Sequence, residues 1–86
     1  MISIIKNYIN NISIDGLNIL LTKNDIYLNN DELNILYKYL KNDWYTFIYN
    51  DPTPILNDIK NRFTPDNYNK LYELYILAKE KYKNYL

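Results

Sequence analysis

Apolar residues recur every three or four positions along most of this chain, the spacing of one face of an α-helix. The first such run is formed by Ile2, Ile5, Ile9 and Ile12. Two later runs follow Thr53-Pro54 and Thr64-Pro65. Each pair is typical of a helix start, because Thr can cap the first turn and Pro tolerates its first position. The spacing predicts an all-α fold, a compact single-domain bundle of about five helices over residues 1–86.

Local signals place the other helix boundaries. Ser13 is a predicted N-cap of the second helix, and Asn24 is expected to end that helix in a left-handed conformation. Asn29, three residues before Glu32, predicts a capping box at the start of the third helix. We expect the core to contain Leu36, Leu40, Trp44, Ile59, Leu71 and Tyr75.

Two short segments combine apolar residues with a high preference for β-structure. They are Ile26-Tyr27-Leu28 and Phe47-Ile48-Tyr49, and each lies just before a predicted helix start. We therefore expect two very short extended segments that can pair with each other.

The composition removes most routes to catalysis. The chain has no His and no Cys, so it lacks the usual proton carrier at neutral pH and any thiolate nucleophile. Its single Gly excludes a glycine-rich phosphate loop. We expect a protein that is not an enzyme, with no catalytic residues, no cofactor and no small-molecule substrate.

The acidic residues suggest two weak sites. Asp25, Asp31 and Glu32 surround a helix–loop–helix segment, but the ligand series and the Gly of a calcium-binding hand are missing. Asp51 and Asp58 are a possible acid–base pair, although nothing in the sequence indicates that either is buried. We expect no metal site and no acid–base catalysis here.

Charge is unevenly distributed along a chain of zero net charge. Residues 1–59 carry four bases and seven acids, a net charge of −3, whereas residues 60–86 carry six bases and three acids, a net charge of +3. The basic, tyrosine-rich last helix is the alternative nucleic-acid site, because lysines neutralise phosphates and tyrosines stack on bases. Its candidate residues are Lys79, Lys81, Tyr82 and Lys83.

Eleven tyrosines and one tryptophan are more aromatic surface than a domain of this size can bury. Exposed Tyr and Trp are typical of binding hot spots, although Trp44 and Phe47 also fit a core interpretation. The predicted partner-binding residues are Tyr27, Tyr39, Trp44, Tyr45 and Tyr49. They favour a protein–protein interaction module that binds another protein or itself. The alternatives are a nucleic-acid-associated protein and a phage or mobile-element inhibitor of a host machine.

The order of these signals carries a resemblance. Its segments are Ile9-Asn10-Asn11-Ile12-Ser13, Asp25-Ile26-Tyr27-Leu28-Asn29, Phe47-Ile48-Tyr49-Asn50-Asp51, Leu56-Asn57-Asp58-Ile59 and Thr64-Pro65. In this order they resemble the YqfT-like family of small uncharacterised proteins from low-GC Gram-positive bacteria. Tyr and Asn stand here where that family usually has small residues and Gln. The resemblance implies a compact helical fold and a bacterial origin, and no activity or catalytic residues.

The chain begins without the features of an exported protein. Met1 to Lys6 has no charged region followed by an apolar run, so it does not fit a signal peptide. The longest apolar run, Ile19-Leu20-Leu21, is far too short to cross a bilayer. Abundant Asn, Lys, Ile and Tyr fit an AT-rich bacterial or phage genome. We expect a cytoplasmic protein with no membrane partner.

Overall fold

A computed structural model describes residues 2–81 of the chain, with the side chain of Ile2 left out. Within this range there are five helices and no strand, which confirms the predicted all-α fold. They are α1 (Ile2–Asn11), α2 (Ile14–Thr22), α3 (Asn30–Tyr49), α4 (Thr53–Arg62) and α5 (Pro65–Lys81). The long helix α3 contacts α1, α2 and α4, and α5 packs on α4.

Predicted caps are present at three helix starts, one of them Thr64 before α5. The Ser13 hydroxyl accepts a hydrogen bond from the Gly16 backbone N–H at 3.0 Å and begins α2. The Asn29 side chain accepts from the Glu32 N–H at 2.8 Å, and the Glu32 carboxylate accepts from the Asn29 N–H at 2.9 Å. The predicted capping box of α3 is therefore confirmed.

The predicted start of α4 is wrong by one residue. Thr53 is the first helical residue rather than the N-cap, and Pro52 occupies the N-cap position without a side-chain cap. The reason is Asp51, whose carboxylate accepts the Thr53 backbone N–H at 3.0 Å and so replaces a threonine cap.

The end of α2 also differs from the prediction. Asp25, rather than Asn24, takes the left-handed conformation, with a φ of 60°. The backbone N–H of Ile26 then donates to the Leu21 carbonyl at 2.9 Å, and that of Asp25 donates to Thr22 at 3.1 Å. This Schellman pattern reverses the chain and brings Ile26, only 1% exposed, into the core.

The predicted extended segment Phe47-Ile48-Tyr49 is wrong, and so is its predicted pairing with Ile26-Tyr27-Leu28. Phe47-Ile48-Tyr49 is the last turn of α3, and residues 26–28 form an irregular connection with no strand pairing. The preference of aromatic residues for strands is overridden by packing, because the helical conformation buries Phe47 to 6% exposure. Asp43 interrupts α3 with non-helical dihedral angles, φ −131° and ψ 21°, which change the direction of the residues that follow.

The core lies between α2, α3 and α4, with α5 closing one side. Of the predicted core residues, Leu36, Ile59 and Leu71 are buried, whereas Leu40 and Tyr75 are partly buried against them. Trp44 is also partly buried but is not among the residues packed against the core cluster, so its prediction as a core residue is wrong. Phe47, about three helical turns after Leu36, continues the buried stripe of α3 instead.

The Glu32 carboxylate joins the starts of two helices. Besides its bond from Asn29, it accepts the Thr64 backbone N–H at 2.8 Å and the Asn67 side-chain amide at 2.7 Å. Glu32 is only 1% exposed, and all three donors come from the first turns or caps of α3 and α5. The positive ends of two helix dipoles therefore stabilise one buried negative charge.

Lys41 places a positive charge at the C-terminal end of α1. Its ammonium group donates to the carbonyls of Ile9 at 2.7 Å and Asn10 at 3.0 Å, in the last turn of that helix. A cation from α3 therefore donates to carbonyls that have no N–H partner within α1. The contact fixes α1 against α3.

Tyr75 attaches α5 to the end of α3. Its hydroxyl donates to the Phe47 carbonyl at 2.8 Å, and the two rings meet edge to face at 4.7 Å. Burial, with a smaller contribution from Tyr72, raises the pKa of Tyr75 above its ordinary value of 10.0. The neutral phenol is therefore the form that the folded state prefers.

We expect the free energy of unfolding to fall as the pH rises above 10. Because the folded pKa of Tyr75 exceeds the unfolded value, this stabilisation is complete below pH 10.0 and is lost as the pH rises through the folded pKa. Urea unfolding followed by circular dichroism between about pH 9 and 11 should give a shallower decline for Tyr75→Phe than for the wild type. Tyr8→Phe, at an exposed position, should decline like the wild type; an unchanged slope for Tyr75→Phe would contradict the assignment.

Candidate protein-interaction surface

Three rings at the end of α3 form the aromatic cluster of Trp44, Tyr45 and Tyr49. Trp44 meets Tyr45 at a centroid distance of 5.6 Å and Tyr49 at 6.2 Å, both edge to face. Tyr45 and Tyr49 are themselves 4.9 Å apart, so every ring touches the other two. The sequence predicted all three as partner-binding residues, and the structure brings them together.

The cluster differs from the neighbouring Phe47 in its exposure to solvent. While Phe47 is buried in the core, Tyr45 is 47% exposed, and Trp44 and Tyr49 are partly buried. The Tyr49 hydroxyl oxygen is buried and has no hydrogen-bond partner among the described residues. The three rings therefore pack against one another, and the Tyr45 ring remains exposed to solvent.

The other two predicted residues lie elsewhere. Tyr27 is 65% exposed, but it precedes the start of α3, and its carbonyl accepts from Asn67. At 1.5 Å per residue, the helix from Asn30 to Trp44 separates Tyr27 from the cluster by roughly 20 Å. Tyr39 is partly buried and donates its hydroxyl to Asp58 of α4, so it belongs to a different face.

Tyr39 lies in an open, polar groove between α3 and α4. Asp58 there accepts from the Tyr39 hydroxyl and pairs with Arg62 at 3.1 Å. The hydrogen bond from Tyr39, and after it the one from Arg62, lowers the pKa of Asp58 below its ordinary value. The same bond to Asp58 raises the pKa of Tyr39. The Asp58 carboxylate thus joins α3 to α4 through its bond with Tyr39, and it also bonds to Arg62 within α4.

Asp51 behaves in the same way. Hydrogen bonds from the Thr53 hydroxyl and the Thr53 backbone N–H lower the pKa of Asp51. A general acid that works near neutral pH needs a raised pKa. Neither Asp51 nor Asp58 therefore has the raised pKa that a general acid near neutral pH needs.

The three acids that were compared with a calcium-binding hand have different surroundings. Glu32 is buried and accepts three N–H bonds, whereas Asp25 and Asp31 are exposed. Across residues 2–81, no group of three acidic side chains is arranged to hold a metal ion. In the same range, no helix is both long and apolar enough to cross a bilayer.

The basic residues of the last third mostly contact their own chain. The ammonium of Lys79 lies over the Tyr75 ring at 5.5 Å, and that of Lys60 lies over Tyr68 at 6.0 Å. Lys70 pairs with Asp66 at 3.4 Å. These contacts engage cations that a nucleic-acid surface would offer to phosphates.

The other residues of the predicted nucleic-acid site are Lys81, Tyr82 and Lys83. Lys81 is exposed on the last turn of α5, whereas Tyr82 and Lys83 lie outside the described residues. Only Lys79 and Lys81 of the predicted nucleic-acid site can therefore be located, both near the end of one helix.

We compared the chain with known protein families, with curated proteins and with solved structures, and none of them matched. The resemblance to the YqfT-like family stays a prediction.

Proposed function

We propose that the chain is a non-catalytic protein-interaction module that acts in the cytoplasm and binds its partner through the aromatic cluster. The observation that carries the proposal is the mutual contact of Trp44, Tyr45 and Tyr49, with Tyr45 47% exposed. Rigid, amphipathic rings that are already packed lose little conformational entropy on binding, which is why Tyr and Trp dominate hot spots.

Other exposed apolar residues support the proposal less well. Ile4 and Leu77 are 64% and 66% exposed, but aliphatic side chains of this kind contribute less often to hot spots. Tyr68 and Tyr72 are stacked at 5.9 Å, yet the Lys60 ammonium already lies over Tyr68. The aromatic cluster is thus the best-supported docking surface.

The intramolecular contacts of the basic residues favour this function over nucleic-acid binding. A phosphate would have to displace Lys79 from Tyr75 and Lys70 from Asp66. The only Arg of the chain, Arg62, pairs with Asp58, which limits bidentate recognition of phosphates or bases. The absence of His and Cys favours a protein without enzymatic activity.

Affinity capture from bacterial lysate tests the proposal. The tagged chain is used as bait with and without nuclease, at low and physiological salt, and the bound material is read by mass spectrometry. We expect a stoichiometric protein that survives nuclease and is retained at both salt concentrations. Material lost on nuclease treatment, or lost steeply between the two salt concentrations, would instead support the nucleic-acid alternative.

Matched variants connect the captured protein to the surface. Tyr45→Ala should reduce capture at least about tenfold, the loss expected from a hot spot worth 1.4 kcal/mol or more. Tyr8→Ala, at a comparably exposed tyrosine on α1, should capture as the wild type does. Equal capture by both variants would contradict a role for the cluster. A captured host polymerase or nuclease would fit the inhibitor form of the proposal.

A further inference from the structure

We propose that Tyr75 of α5 is a positioning residue for the aromatic cluster. Its hydrogen bond to the Phe47 carbonyl fixes the last part of α3, and with that part the three rings. In this role Tyr75 acts through Phe47 and makes no contact with the partner. The inference rests on the proposed function and adds the contact by which the packing of α5 controls the binding surface.

Asp43 divides α3 into two helical parts. Its dihedral angles, φ −131° and ψ 21°, are not helical. The direction of the second part relative to the first therefore depends on the two angles at Asp43 and on what the second part packs against, because no continuous helix joins them. All three rings of the cluster lie in the second part, residues 44–49.

The first part of α3 is held by hydrogen bonds to three other helices. Glu32 bonds to α5, Tyr39 to α4 and Lys41 to α1. All three residues precede Asp43 in the chain. Their bonds therefore fix the first part of α3, and the second part needs contacts of its own.

Tyr75 gives the second part a directional contact with α5. Its hydroxyl donates to the Phe47 carbonyl at 2.8 Å, and the two rings meet edge to face at 4.7 Å. This carbonyl is one of the last four of α3, which have no N–H partner within the helix. Phe47 and Ile48 also pack against the core, but apolar packing is non-directional, whereas a hydrogen bond fixes both distance and angle.

The backbone of one short helical part transmits this contact to the rings. Tyr45 and Tyr49 are each two residues from Phe47, and Trp44 is three residues from it. A displacement of the Phe47 backbone therefore displaces all three rings relative to the rest of the fold. A hydrogen bond of this kind changes such an equilibrium about two- to tenfold.

Trp44 fluorescence of the free chain tests the inference without a partner, because Trp44 is the only tryptophan and lies in the second part of α3. Tyr75→Phe keeps the ring and removes only the hydroxyl. We expect its Trp44 emission maximum to shift and its quenching by acrylamide to increase, while far-ultraviolet circular dichroism shows a folded chain. Trp44 signals identical to those of the wild type would overturn the inference.

Tyr39→Phe is the matched control. It also removes one tyrosine hydroxyl that bonds to another helix, in this case to Asp58 of α4. Because Tyr39 precedes Asp43, the emission and quenching of Trp44 should stay as they are in the wild type. Equal changes in the two variants would reveal a general loosening of the fold and would also overturn a positioning role for Tyr75.

Capture from lysate relates the inference to the proposed function. Tyr75→Phe should retain at least about twofold less of the protein that the wild type captures through Tyr45, and Tyr39→Phe should retain as much as the wild type. If capture depends on Tyr45 but neither capture nor Trp44 responds to Tyr75→Phe, the positioning role is wrong and the interaction surface stands. If Trp44 responds to Tyr75→Phe but no protein is captured through Tyr45, the contact positions the rings and the proposed function is wrong.

Discussion

Replacing Glu32 with Ala is expected to lower the free energy of unfolding by about 3 kcal/mol or more. The change leaves three N–H donors without their acceptor: the backbone groups of Asn29 and Thr64 and the side-chain amide of Asn67. A buried donor left unsatisfied costs about 1–3 kcal/mol, and because these three bonds are partly buried we apply the lower end of that range to each. The stability of a small domain is only about 5–15 kcal/mol, so this loss is a large part of it.

Urea unfolding followed by far-ultraviolet circular dichroism measures the effect. Glu32→Gln should fall between the wild type and Glu32→Ala, because its amide keeps one acceptor oxygen but places an NH₂ group against an N–H donor. Asp31→Ala is the control, since Asp31 is also in the first turn of α3 but exposed. A loss no larger than that of Asp31→Ala would contradict the shared role of Glu32.

Phe47→Ala is expected to cost about 3–5 kcal/mol, the usual range for an aromatic residue removed from a core. Phe47 is 6% exposed and meets the Tyr75 ring edge to face at 4.7 Å. Its removal leaves a cavity where the end of α3 meets α5, and α5 loses the contact between Tyr75 and the Phe47 ring.

Thermal and urea unfolding of Phe47→Ala should be compared with those of Tyr45→Ala. Tyr45 is two residues away on the same helix but 47% exposed, so its variant should lose about 1 kcal/mol or less. The comparison also establishes that Tyr45→Ala is folded in the binding experiments. Similar losses for the two variants would mean that the end of α3 does not pack as described.

The features predicted correctly from the sequence are those set by neighbouring residues. The capping box of Asn29 and Glu32 depends on a three-residue spacing, so it is visible before any fold is known. The bonds from Thr64 and Asn67 to the same carboxylate join residues 32 and 35 positions apart, and no local pattern indicates them. Burial of Glu32 could be inferred only once α5 was placed.

The end of α3 was harder to predict for a different reason. Phe47-Ile48-Tyr49 has the composition of a strand, but strand preference expresses packing on a sheet, and this chain provides none in residues 2–81. The kink at Asp43 has no signal in the sequence, and Phe47 rather than Trp44 belongs to the core. Trp44 is partly buried, in contact with Tyr45 and Tyr49.

Site-specific photo-crosslinking tests the proposed surface most directly. Benzoylphenylalanine is placed at position 45, 27 or 8, all exposed tyrosines, and the intact chain is irradiated in bacterial cells. We expect a discrete protein adduct from position 45 and none from position 8 or 27. An adduct from position 8 or 27 with none from position 45 would contradict binding through the aromatic cluster.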